Sequence, residues 1–73
     1  MVTTLSAVSP GVAVEITAVP DPTARAKLLR LGFLDGPVEC RRRLRKGPVV
    51  LRRHGTELAI GAPLADRIEV TPP

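Results

Sequence analysis

Residues 38–60 read VECRRRLRKGPVVLRRHGTELAI, and the reading of this stretch decides the fold. Turn signals at Lys46-Gly47-Pro48 and at His54-Gly55 divide it into three short runs. Thr56 to Ile60 alternates, with Leu58 and Ile60 on one side, and Val49 to Arg53 is an apolar run closed by two arginines. In the first run Val38, Cys40 and Leu44 share one face and Glu39, Arg41 and Arg43 the other. Arg42 breaks the inward pattern, which predicts a bulge or an edge position near it. Runs joined by turns rather than crossovers make antiparallel neighbours, so a parallel α/β sheet is excluded.

Toward the N-terminus, Val12, Val14, Ile16 and Ala18 alternate with Ala13, Glu15 and Thr17 after a Ser9-Pro10-Gly11 turn, which reads as a half-buried strand. Asp21 is then placed to cap a helix that has Pro22 at its first position and runs to about Leu31, with Gly32 as its stop. Ala24, Leu28 and Leu31 fall together on the helical wheel, Leu29 lies on one shoulder, and Lys27 and Arg30 project away. Phe33 to Pro37 forms a turn in which Gly36 is expected to supply a positive φ.

Toward the C-terminus, Gly61-Ala62-Pro63 leads into one helical turn, with Pro63 at its first position, and Ile68 and Val70 alternate in a closing strand. The expectation is therefore mainly β: a small five-stranded antiparallel barrel. One short α-helix follows the first strand and one helical turn precedes the last. Closure of the sheet protects strand edges that would otherwise pair with neighbours.

Seventy-three residues make one domain, expected to span 1–73, near the lower size limit for independent folding. Hydrophobic residues are 44% of the chain but Phe33 is the sole aromatic, so the core must be aliphatic. Apolar runs are far shorter than the roughly 20 residues of a membrane-spanning helix. Residues 1–10 lack the basic and apolar regions of a secretory signal, which predicts a cytosolic protein. The net charge is +4, and seven of the eleven basic residues fall between Arg41 and Arg53, predicting a strongly positive region of surface.

Catalysis needs converging groups of tuned acidity, and no paired carboxylates, no Ser or Cys beside a histidine and no metal-ligating cluster stands out. Cys40 is the one cysteine and His54 the one histidine, read as a core residue and an exposed turn residue. No Gly-rich loop is followed by Lys and Ser/Thr to cradle phosphates. The expectation is a chain with no catalytic residues, no metal, no cofactor and no small-molecule substrate, acting by binding a partner. The arginine run reads equally as a solvated strand face or as a docking surface for an acidic partner. Nucleic acid ranks behind both, because small barrels read bases on aromatic platforms that Phe33 alone cannot supply.

The order of these signals resembles the FeoA family, small cytosolic SH3-like barrels associated with the ferrous-iron transporter FeoB. The opening Leu5-Ser6-Ala7-Val8-Ser9-Pro10-Gly11 is similar to the family's Leu-Ser-x-hydrophobic-x-Pro-Gly start. Residues 26–36, AKLLRLGFLDG, resemble its Leu-x-x-Leu-Gly-hydrophobic-x-x-Gly helix and turn. Gly47-Pro48, Glu57-Leu58-Ala59-Ile60, and Ala65 with Ile68 and Val70 resemble its downstream turn and strands. Two departures stand out: the Gly36 to Pro48 segment is shorter than usual, and the hairpin is unusually basic.

The resemblance implies an accessory or regulatory role in ferrous-iron uptake through the cytosolic GTPase part of a FeoB-like transporter, with no direct membrane insertion. The contact surface it implies is the helix rim and following turn (Lys27, Leu29, Arg30, Phe33, Leu34) with the basic hairpin (Arg41, Arg43, Arg45, Lys46). For Leu29 and Phe33 the competing reading is core packing. Two alternatives stay open: an SH3-like interaction module of a metal-dependent transcriptional regulator system, and a basic barrel that binds nucleic acid.

Overall fold

The structure, a computed structural model, describes residues 3–43 and 47–72, with the side chains of Arg42 and Arg43 outside that description. Six strands form one antiparallel sheet in the order β1-β6-β2-β3-β4-β5, where β1 is Thr3–Thr4, β2 Ala13–Ala18, β3 Val38–Arg43, β4 Val49–Arg53, β5 Thr56–Ile60 and β6 Glu69–Thr71. Two helices interrupt them, α1 at Pro22–Arg30 and α2 at Ala62–Ala65, and one turn of 3-10 helix covers Leu5–Ala7. The mainly β fold is the one expected, with six strands in place of five. β1 pairs Thr3 with Val70 and Thr4 with Glu69, and two residues are too few to show an alternation in sequence.

β1 and β5 end the ladder, and among the described residues no pairing joins them. Across the gap α2, which follows β5, touches the 3-10 turn, which follows β1, while the Leu5 amide extends the β1–β6 pairing by donating to the Ile68 carbonyl at 2.9 Å. The barrel is thus nearly closed. Its interior holds Leu5, Leu28, Phe33, Val38, Cys40, Leu51, Ile68 and Val70, all essentially without solvent contact. Burying each large side chain contributes about 1.5–3 kcal/mol, which is how a nearly aromatic-free core sustains so short a chain.

Bulges bend the strands around this core. In β3 the pairing passes from Cys40 opposite Leu51 to Arg42 opposite Val50, so Arg41 is the extra residue and the predicted irregularity sits where the alternation fails. In β2 a second shift lies at Thr17, between Ile16 opposite Val70 and Ala18 opposite Glu69. That shift explains a departure from expectation: Ala18 leaves the core face and is exposed, while the Thr17 hydroxyl donates to the Glu69 carbonyl at 3.1 Å. Val12, also expected inside, precedes β2 at the end of the core and is 44% exposed. Leu44 lies outside the described residues.

Helix α1 begins as its sequence predicts. The Asp21 carboxylate accepts from the Thr23 amide at 2.9 Å and the Ala24 amide at 3.5 Å, and Pro22 occupies the first turn. At the other end Gly32, with φ +81°, carries a Schellman motif: its amide donates to the Leu29 carbonyl at 3.1 Å, and the Phe33 amide donates to the Leu28 carbonyl at 2.9 Å. The motif folds Phe33 back under the helix beside Leu28, and both are buried. Leu31, expected on the inner arc, is instead the C-cap residue and is 37% exposed.

The β4–β5 connection is a two-residue turn in which both His54 (φ 53°) and Gly55 (φ 82°) are left-handed, matching the right-handed twist of the strands it joins. In α2, Ala62 takes the first helical position and Pro63 the second, one residue later than expected, with Gly61 as N-cap. No helix among the described residues is long and apolar enough to cross a membrane.

Candidate functional site

Helix α1 carries three cations and no acid within its span: Arg25, Lys27 and Arg30 are exposed, and Asp21 before it is committed to the cap. Its one fully buried residue is Leu28. Leu29 is 52% exposed, so core packing is not its role, and with Leu31 it puts two leucines among the three positive charges. Cations at Lys27 and Arg30 in the last turn also suit the negative end of the helix dipole. The helix therefore presents separate exposed leucines, Leu29 one turn from Arg25 and Leu31 one turn from Lys27.

Beside α1 lies a shallow cleft of about 230 Å³, lined by Ile16, Thr17, Ala18, Val19, Arg25 and Leu34. It opens where the Thr17 bulge turns the end of β2 away from the core. Leu34, half-buried, packs against the edge of the core and forms one wall. Thr17, Val19 and Arg25 were not singled out from the sequence. The irregular β2 register that brings the strand end against α1 has no signal in the alternation, which runs unbroken to Ala18.

The expected contact residues thus separate. Lys27, Leu29, Arg30 and Leu34 share the α1 surface and the adjoining cleft. Phe33 does not join them: with no exposed surface it cannot meet a partner, because the Schellman motif turns it inward. Arg41 is exposed on β3 and pairs with Glu39 at 3.3 Å, an exposed ion pair of small energetic weight. Arg43 pairs opposite Val49 in the ladder, with its side chain outside the description, and Arg45 and Lys46 lie outside the described residues.

The strongly positive strand surface expected from composition is more mixed where it is described. Arg52 on β4 stands in register with Glu39 on β3 and with Glu57 on β5, so acid, base and acid alternate across three strands. Arg53 points elsewhere: its Nη1 donates to the Pro37 carbonyl at 2.6 Å, with the guanidinium over Gly36. A Cβ at Gly36 would sit 2.8 Å from Nη2 and 2.9 Å from Nη1. Gly36 does not have the positive φ expected of it. Its missing side chain is what makes room for the arginine.

Among the described residues no three His, Cys, Asp or Glu side chains come together as a metal site. Cys40 is fully buried with its Sγ 4.0 Å from the Val8 carbonyl, and His54 is exposed in its turn, as read from the sequence.

Residues 3–72 match the FeoA domain family, nearly the whole chain. The chain belongs to the FeoA domain family. A crystal structure of an iron uptake regulatory protein (FeoA) superposes with a TM-score of 0.73 at 32% identity, covering 96% of this chain and 94% of that one. Comparison with curated proteins finds no match. The small SH3-like β architecture of this FeoA domain is thus shared with a solved relative over almost its full length.

Proposed function

We propose that this FeoA-domain chain is an accessory, regulatory protein of ferrous-iron uptake that docks in the cytosol onto the GTPase part of a FeoB-type transporter and performs no catalysis of its own. Family membership and the name of the structural relative support the transport setting. The observation that carries the docking reading is the half-exposed Leu29 on a helix whose charges are all positive.

Such a surface fits an acidic partner patch with an apolar pocket at its centre. Removing the remaining exposed part of Leu29 from water favours binding by about 1 kcal/mol, and Arg25, Lys27 and Arg30 steer encounter and fix orientation. The barrel regulates by binding one conformation of the transporter better than another, since only a difference in affinity moves an equilibrium.

Purified protein titrated with the soluble GTPase domain of a cognate transporter, and separately with duplex DNA, across a salt series tests the reading. Expected is a transporter complex that persists at moderate salt and weakens about fivefold or more in Leu29→Ala. Binding to DNA alone, with affinity falling steeply as salt rises, would replace docking with a nucleic-acid role. Binding to neither would leave the docking proposal without support.

A further inference from the structure

Strand β5 ends the ladder at a built edge. Arg53 and Thr56 flank the two-residue turn and so exchange hydrogen bonds, which fixes the parity of the hairpin. The pairs Leu51–Leu58 and Val49–Ile60 are then also hydrogen-bonded, while Arg52–Glu57 and Val50–Ala59 are not. The N–H and C=O of Glu57 and of Ala59 consequently point away from β4. Among the described residues nothing bonds to them.

Natural edges are usually guarded by charged side chains, a bulge, a proline or a covering loop, and β5 carries one charge, the exposed Glu57. β5 pairs with β4 in unbroken register from Thr56 to Ile60 and contains no proline. Both outward-pointing residues are exposed, and Ala59 is too small to obstruct a neighbour.

We infer that β5 is a self-association edge, pairing antiparallel with β5 of a second copy about a two-fold axis at Leu58. Two donors and two acceptors lie symmetrically about that residue, so this register satisfies all four and leaves none over. It sets each Glu57 opposite the partner's Ala59, whereas centring the axis on Glu57 would put two carboxylates face to face. Each Glu57 keeps Arg52 of its own chain as its cross-strand neighbour on the other side. Charge thus selects the register that the free backbone groups require. A five-residue strand buries far less than a stable interface of roughly 1,200 Å² or more, so the pairing is weak and concentration-dependent. The inference is independent of the transporter reading.

Sedimentation equilibrium of the full chain, from low micromolar to about 1 mM, reads the association directly. Ala59→Pro removes only an outward N–H, leaves the β4–β5 bonds intact, and is expected to weaken association about tenfold or more. Hydrogen exchange on the unmodified chain gives a second readout that needs no variant. The Glu57 and Ala59 amides should exchange rapidly in dilute solution and become protected at high concentration, while Leu58 stays protected throughout. A monomer at every concentration overturns the inference. So does association that Ala59→Pro leaves unchanged, or exchange at Glu57 and Ala59 that does not slow with concentration.

Discussion

Gly36→Ala tests whether a glycine is held in this chain by its neighbour rather than by its own backbone. The new methyl would lie 2.8 and 2.9 Å from the two terminal nitrogens of Arg53 and 3.1 Å from Cζ, so the guanidinium must swing aside and release the Pro37 carbonyl. Loss of a hydrogen bond to a charged donor costs about 1.5–3 kcal/mol. Two effects offset it. The Arg53 Nε is buried with no partner, and moving into water restores its hydration, which returns about 1 kcal/mol. Alanine also restricts the unfolded chain at a position whose φ is not left-handed, worth about 0.4–1 kcal/mol. These ranges combine to a net change centred on a loss of about 0.5 kcal/mol, or a fall of about 2–4 °C in Tm for a domain of this size. The decisive comparison is the same substitution in an Arg53→Met background, followed by urea denaturation. With no guanidinium to displace, Gly36→Ala should there raise stability by about 0.4–1 kcal/mol, a coupling of about 0.5–2 kcal/mol. Equal losses in both backgrounds would refute the account and return the requirement for glycine to the backbone of the turn.

Asp21→Ala leaves the Thr23 and Ala24 amides without their cap and should cost about 0.5–2 kcal/mol by denaturant unfolding. Leu28→Ala should cost about 2–5 kcal/mol, whereas Leu29→Ala on the same helix should stay within about 0.5 kcal/mol, because only the first residue is in the core. His54→Asn, which suits a left-handed residue before Gly55, should raise Tm slightly, and His54→Val should lower stability by about 1–2 kcal/mol. Arg41→Ala should change stability by less than about 0.5 kcal/mol, since its ion pair with Glu39 is exposed on both sides.

Periodicity and punctuation carried most of the architecture. The β4–β5 hairpin, the Asp21 cap, the Gly32 stop and the irregularity near Arg42 are legible because each follows from a few adjacent residues. β1 was not legible, since its pairing with β6 is made by residues more than sixty positions away in the chain. The alternation places Ala18 on the wrong face because the bulge at Thr17 follows from how β2 meets β6, and the need for glycine at position 36 comes from Arg53, which arrives from another strand. The same distinction runs through the candidate surface. The cationic face of α1 could be read from the helix alone, but the burial of Phe33 and the cleft around Val19 and Arg25 required the chain to be folded.

Under the proposed docking, the C-terminal motif of α1 divides recognition from stability. It sends Phe33 beneath the helix to join Leu28, and these two residues anchor nine helical positions that have little other apolar contact. Leu29 and Leu31 are left outside, where burial contributes little to folding. Under the proposed docking, substitutions at the exposed leucines or at Arg25, Lys27 and Arg30 should therefore alter partner affinity while the barrel keeps its stability. Substitutions at Leu28, Gly32 or Phe33 should change both together, since they would move the proposed surface by loosening the helix that presents it. A panel plotting binding free energy against unfolding free energy should place the first group along the binding axis and the second along a diagonal. A single diagonal for all of them would mean that α1 acts only as packing and that recognition lies elsewhere on the barrel.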